Sequence, residues 1–140
     1  MQVNAAKADE EAFQREIDSL FEEIIKFLKH PQDSLVAAKS QALLNLASIF
    51  ADLTPYYPIG RLAANGSLFL DAVDASTQKG VVTHKLIFIQ GLAKGALLLS
   101  EQARHILIPK FVGILRRHLK EEADRELVLL TVCCATGMYE

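Results

Sequence analysis

Four histidines and two cysteines are the residues of this sequence best suited to bind a metal. The histidines are His30, His84, His105 and His118. None of them has a partner at the spacing of a zinc site. Cys133 and Cys134 are adjacent, whereas paired zinc-binding cysteines are usually separated by at least two residues. The sequence therefore predicts no metal site, and we expect reduced cysteines together with histidines that are solvated or cap helices.

Acidic pairs and serines could take part in acid–base or nucleophilic catalysis. The acidic pairs are Glu10-Glu11, Glu22-Glu23 and Glu121-Glu122, and the serines considered are Ser40, Ser48 and Ser100. Acid–base catalysis needs a shielded pocket that separates two pKa values, which adjacent acids on a helix surface do not have. The serines lack a nucleophile elbow, and the glycines lack the spacing of a phosphate-binding loop. The sequence predicts neither an enzyme nor a bound cofactor.

Composition favours one folded, helical domain. The chain has 140 residues, of which 51% are hydrophobic and 23% are charged, and it has no tryptophan. Its net charge of −2 argues against a general binder of nucleic acid or of membrane surfaces. We find no apolar run of the roughly 18 residues that a membrane span needs, and no secretory signal. The expected location is the cytoplasm, with the nucleus as an alternative.

The spacing of apolar residues at three and four positions predicts helices along nearly the whole chain. The predicted helices cover residues 9–29, 34–52, 59–75, 81–99, 101–119 and 122–138. Residues 1–8 are expected to form a flexible tail. The predicted fold is therefore all-α, with a single helical domain over residues 9–140.

Two helix breakers, Gly66 and Pro109, fall inside predicted helices. Glycine costs about 1 kcal/mol relative to alanine in a helix, and proline costs more. The two lie 43 residues apart, and the same shift superposes apolar residues of later helices. The superposed sets are Leu43, Leu86 and Leu129, then Leu46, Ile89 and Val132, and then Leu68 with Phe111. The sequence predicts three copies of one repeat, with an elbow at Gly66 and at Pro109.

A unit of about 43 residues with a short helix, an elbow and two longer helices resembles the armadillo repeat. HEAT repeats are its near relatives. The resemblance is carried by the segments NGSLFLDAV, ILIPKFVGILRRHL and QALLNLASIF. It implies a right-handed α-solenoid of about three armadillo/HEAT-like repeats and a role in scaffolding, trafficking or assembly. Asn45 is not repeated in the later copies, so the asparagine ladder of many armadillo proteins is not implied.

A partner-binding surface is predicted on the helices at 34–52 and 81–99. One arc of each helix carries small, mildly polar side chains and one aliphatic residue. The arcs contain Ala37, Gln41, Leu44, Asn45, Ser48 and Asp52 on the first helix, and Thr83, His84, Ile87, Gln90, Gly91 and Lys94 on the second. A concave solenoid face of this kind can accept a helix or a peptide. Alternatively, Leu44 and Ile87 pack against neighbouring repeats.

Two tyrosines in the loop after residue 53 offer a further contact for a partner. Tyr56 and Tyr57 could anchor one, because aromatic residues are enriched at binding hot spots, or they could simply pack within the loop.

Three functions stay open at this point. The first is a non-catalytic protein–protein interaction module, and the second is a purely structural segment of a larger scaffold. The third, which we do not expect, is a nucleic-acid binder that uses five basic residues in and directly after the predicted helix 101–119. These are Arg104, Lys110, Arg116, Arg117 and Lys120. The nearly uniformly apolar run LVLLTVCCATGM predicts that the last helix is covered by a further repeat of a longer protein or by a second copy.

Overall fold

A computed structural model of the chain describes residues 2–30, 33–74, 79–120, 125, 128–129 and 131–132. Within these residues the helices are α1 (Gln2–Lys29), α2 (Val36–Leu53), α3 (Ile59–Asp74), α4 (Lys79–Lys94) and α5 (Glu101–Leu119). Short 3-10 turns at Asp33–Leu35 and Ala96–Leu99 precede α2 and α5. Residues 125, 128, 129, 131 and 132 are also helical. None of the described residues lies in a strand. The predicted all-α fold is confirmed.

The helix ends follow the breakers and caps in the sequence. Helix α1 ends at Lys29, just before Pro31, and α3 begins directly after Pro58. Helix α5 begins after Ser100, whose hydroxyl accepts a hydrogen bond from the backbone N–H of Ala103 at 3.4 Å. Helix α1 includes residues 2–8, so helical structure extends into the segment expected to be a tail. The flexibility of that segment stays a prediction.

The elbows predicted at Gly66 and Pro109 are wrong. Helix α3 runs without a break from Ile59 to Asp74, and α5 is equally continuous with Pro109 inside it. Gly66 serves packing instead, since a Cβ there would lie only 3.2 Å from a ring carbon of Phe50. The short first helix that distinguishes an armadillo unit is therefore missing from both places.

The helices form two layers. In one layer α3 lies between α1 and α5, and in the other α2 packs against α4. Successive helices therefore alternate between the layers, and each helix packs mainly against the helix two positions away. This is the neighbour-to-neighbour packing expected of a helical repeat.

A group of aromatic rings fills the space between the layers. Phe50 of α2 is at the centre, with its ring centroid 5.6 Å from that of Phe21, 5.8 Å from Phe69 and 5.6 Å from Phe88. These four side chains are at most 1% exposed. Rings at such separations in tilted or edge-to-face arrangements attract one another beyond their burial alone. The cluster joins α1, α2, α3 and α4 into one core.

The 43-residue shift holds between α2 and α4 but not beyond them. Leu43 and Leu46 of α2 and their equivalents in α4 are all buried. In the next copy Leu129 is 59% exposed and Val132 is 41% exposed, while Val128 and Thr131 are buried instead. The register of the third copy is therefore displaced by one residue. The pairing of Leu68 with Phe111 is also wrong, because Leu68 is exposed and Phe111 is buried.

Candidate protein-binding surface

The predicted surface residues of α2 all lie on its exposed side, which we name the α2 face. This face consists of Ala37, Gln41, Leu44, Asn45, Ser48 and Asp52. Leu44 is 45% exposed and is the one large apolar side chain among the six. Asn45 donates a hydrogen bond to the backbone oxygen of Gln41 at 3.1 Å, within the same helix. The opposite side of α2 carries the buried residues, so the helix has one packed side and one open side.

The predicted residues of α4 are divided between the surface and the contacts with other helices. Gln90 donates a hydrogen bond to the hydroxyl of Thr131 at 2.9 Å. Gly91 lies against Ala47, where α2 and α4 approach each other closely. The other members of the predicted arc are Thr83, His84 and Ile87, which are half-buried, and Lys94, which is exposed. Gln90 and Gly91 therefore contact other helices. The alternative that Leu44 and Ile87 pack against neighbouring repeats stays a prediction, with Leu44 exposed and Ile87 half-buried.

A polar cluster that the sequence analysis missed joins α1 to α3. The Asp18 carboxylate pairs with the Arg61 guanidinium and accepts a hydrogen bond from the Tyr57 hydroxyl. Asn65 donates to the Tyr57 hydroxyl oxygen at 3.1 Å, and the Arg61 guanidinium lies 5.0 Å from the centre of the Tyr57 ring. Asp18 and Arg61 are separated by the same 43 residues as the repeat, which is the signal that could have paired them.

The two loop tyrosines take different positions. Tyr57 is buried at 4% exposure and packs edge-on against Phe21. Tyr56 is 63% exposed and is open to a partner. Loop packing therefore holds for Tyr57, and contact with a partner stays a prediction for Tyr56.

Burial raises the pKa of the Tyr57 hydroxyl to about 12, and the hydrogen bond to Asp18 and the charge of Asp18 act in the same direction. Because the folded state holds this proton more tightly, its contribution to stability is complete below pH 10 and is lost as the pH rises towards 12. We expect a tyrosinate absorbance step near pH 12 that Tyr57→Phe removes. The free energy of unfolding of the wild type should fall more between pH 10 and 12 than that of the variant. An equal pH dependence of the free energy of unfolding in the wild type and in Tyr57→Phe would contradict the raised pKa of Tyr57.

The charged residues suggested for other functions have local roles where they are described. Lys110 pairs with Asp71 between α5 and α3. Arg104 donates hydrogen bonds to the backbone oxygens of Leu98 and Leu99, each at 2.9 Å. These two side chains help to hold α5 in place.

The described ranges hold neither a cluster of metal ligands nor a helix that could cross a membrane. Nowhere in them do three His, Cys, Asp or Glu side chains come together as metal ligands. Cys133 and Cys134 lie outside the described residues. Among the helices described, none combines the length and the apolar character that crossing a membrane requires.

The comparison with protein families decides what kind of repeat region this is. Residues 1–136 match the model of the Dedicator of cytokinesis (DOCK) TPR region. The chain belongs to this family. Neither the curated proteins nor the solved structures include a significant match. A DOCK TPR region is a helical repeat, so the match supports the repeat that the sequence predicts without supporting armadillo or HEAT in particular. It also agrees with a helical scaffold or interaction module within a larger protein.

Proposed function

We propose that this DOCK TPR region is a non-catalytic protein–protein interaction module that binds a helix or peptide of a partner on the α2 face and the adjoining surface of α4. The observation that carries the proposal is the α2 face itself, with exposed Leu44 among small or uncharged polar side chains. Charged residues are depleted at the centres of protein interfaces. On this face the only formal charge is that of Asp52, near the C-terminal end of the helix.

The repeat architecture supports a binding role. Repeats that contact only their neighbours leave long surfaces uncovered on both layers. We further propose that the helices form a right-handed solenoid of about three repeats over residues 9–140, with two helices in each repeat and without the short first helix of the armadillo type. A protein-binding module of this kind would act in the cytoplasm or the nucleus, without a cofactor.

The proposal is tested by making the α2 face acidic. The double variant Leu44→Glu, Ser48→Glu changes two exposed side chains, so the free energy of unfolding should change by no more than about 0.5 kcal/mol per site. Burying these charges in an interface should weaken partner capture at least tenfold, which corresponds to about 1.4 kcal/mol. The measurement is quantitative mass spectrometry of proteins captured from lysate by wild type and variant.

A matched control places the same charges on the other layer. Ala64→Glu with Leu68→Glu changes two exposed residues of α3, of which Leu68 is 50% exposed, similar to Leu44. We expect this control to capture the same proteins as the wild type. Equal losses in both double variants, or no loss in either, would show that the α2 face is not the binding surface.

A second function, that of a structural segment inside a longer helical scaffold, is favoured by the two edges of the layer that α1, α3 and α5 form. On α5, Ile108, Val112 and Leu119 form a stripe with exposures of 42–45%. At about 100° per residue this stripe lies opposite the Lys110 side that faces α3. On α1, Leu20 is 51% exposed and lies away from the Asp18 side that faces α3. The α5 edge therefore offers an apolar stripe and the α1 edge an exposed leucine, and a further helix could pack on either.

The edge stripes predict self-association of the isolated 140-residue chain. Sedimentation velocity over a concentration series should show growing oligomers for the wild type, because the stripes then cover one another. The double variant Leu20→Lys, Val112→Lys should stay monomeric with an unchanged free energy of unfolding. A wild type that stays monomeric at high concentration would contradict the scaffold-segment function and leave the α2-face proposal intact.

A further inference from the structure

A hollow of about 630 Å³ lies between α1 and the loop that joins α2 to α3. It is lined by Asp9, Glu10, Phe13, Pro55 and Tyr56. Phe13 is 40% exposed and Tyr56 is 63% exposed, so two aromatic rings form much of an accessible apolar floor. None of these residues belongs to the α2 face.

Hydrogen bonds hold the loop side of the hollow in place. The backbone N–H of Tyr56 donates to the oxygen of Leu53 at 2.9 Å. The Thr54 hydroxyl donates to the oxygen of Phe50, also at 2.9 Å. The side-chain amide of Gln14 in α1 donates a hydrogen bond to the backbone oxygen of Tyr56 at 3.5 Å. The hollow is therefore formed before any partner binds, which lowers the entropy lost on binding.

The rim of the hollow is acidic. Taking about 100° per residue, Asp9, Glu10 and Glu16 all lie within about 60° of Phe13 around α1. The nearest cations of the same helix, Lys7 and Arg15, lie more than about 100° away from it. Negative charge close to an apolar floor attracts cations and repels phosphate and carboxylate groups.

We propose that this hollow binds a partner polypeptide segment that places an apolar side chain on the Phe13–Tyr56 floor and a neighbouring Lys or Arg against Asp9 and Glu10. The proposal rests on the proposed interaction function and assigns a second binding surface to it, together with the chemistry of its partner. The acidic rim disfavours nucleic acid and anionic lipid. The apolar floor favours a segment with an apolar residue over one that is only basic.

The probe is a pair of synthetic 12-residue peptides that are helical, fluorescently labelled and alike in their leucine positions. One carries lysine at its polar positions and the other carries glutamate. Fluorescence anisotropy with the 140-residue chain, at concentrations where it does not self-associate, should show at least tenfold tighter binding of the lysine peptide. Raising the salt from about 0.05 to 0.5 M should weaken that binding, because exposed charges are screened.

Three variants assign the binding to the hollow. Tyr56→Ser should weaken lysine-peptide binding at least fivefold, and Asp9→Lys with Glu10→Lys should reverse the preference towards the glutamate peptide. Glu11→Lys is the control for each single charge reversal, since it makes half of the charge change of the double variant on the same helix, about 160° away from Phe13. It should weaken lysine-peptide binding by less than twofold, and the variant Leu44→Glu, Ser48→Glu should leave it unchanged.

Three results would overturn the proposal. The first is equal binding of the two peptides, and the second is equal losses in Tyr56→Ser and Glu11→Lys. The third is loss of self-association in Tyr56→Ser, which would show that the occupant is a second copy of this chain. The variant Leu44→Glu, Ser48→Glu could capture partners normally while the peptide measurements give the results expected for the hollow. In that case partner binding at the α2 face would be wrong, and binding at the hollow would be supported.

Discussion

The Phe50→Ala variant is expected to lose about 3–5 kcal/mol of its free energy of unfolding. Phe50 is 1% exposed, and its ring contacts those of Phe21, Phe69 and Phe88 from three other helices. Removing it deletes buried apolar surface and leaves a cavity where the layers meet. Domains of this size are stable by about 5–15 kcal/mol in total, so the loss is a large part of the whole.

Chemical denaturation followed by far-ultraviolet circular dichroism gives the size of this effect. Phe13→Ala is the control, because Phe13 is an aromatic residue with 40% exposure outside the buried core. It should cost less than about 1 kcal/mol, in the range of ordinary surface substitutions. Equal losses in the two variants would show that Phe50 is not at the centre of the core.

The second large effect concerns the close approach of α2 and α4. A Cβ at Gly91 would overlap the Cβ of Ala47, so Gly91→Ala must push the two helices apart. Overpacking of this kind costs about 1–3 kcal/mol, against a gain of up to about 1 kcal/mol from the better helix propensity of alanine. We expect a net loss for Gly91→Ala, and a larger one for Gly91→Val, in thermal and chemical unfolding.

Gly113 and Ala47 provide the controls for this prediction. A Cβ at Gly113 in α5 would meet nothing within 4 Å, so Gly113→Ala should stabilise the protein by up to about 1 kcal/mol. The same substitution thus has opposite signs in two helices. The double variant Ala47→Gly, Gly91→Ala moves the methyl group across the contact and should recover part of the loss. Independent, additive effects of its two substitutions would contradict the direct contact.

Helix positions could be predicted from the sequence because each helix carries its own apolar spacing and its own end signals. Pro31, Pro58 and Ser100 stand where helices end or begin, and local chemistry is sufficient there. The elbows could not be predicted in this way. Gly66 looks like a break when its helix is considered alone, yet its lack of a side chain is needed by Phe50, a residue of another helix.

Part of the candidate binding surface could likewise be predicted from the sequence, and part of it could not. The α2 face could be predicted, since helix periodicity alone separates Leu44 from the buried Leu43 and Leu46. The roles of Gln90 and Gly91 depend on residues outside their own helix, Thr131 for Gln90 and Ala47 for Gly91. The hollow combines Phe13 with Tyr56, which lies 43 positions later, so the repeat spacing could have paired them as it could have paired Asp18 with Arg61. Surfaces made by one helix can be predicted from the periodicity of that helix, whereas surfaces made by several helices also depend on how the helices pack.

Site-specific photo-crosslinking tests the central claim, that the α2 face binds a protein partner, most directly. A photoreactive phenylalanine derivative replaces Leu44 in one variant and Leu99, which is 81% exposed outside that face, in another. If the α2 face binds a partner, we expect crosslinked partner bands from position 44 and none of the same bands from position 99, and the bands should be lost when Ser48→Glu is added. The same bands from both positions, or bands from position 99 alone, would contradict it.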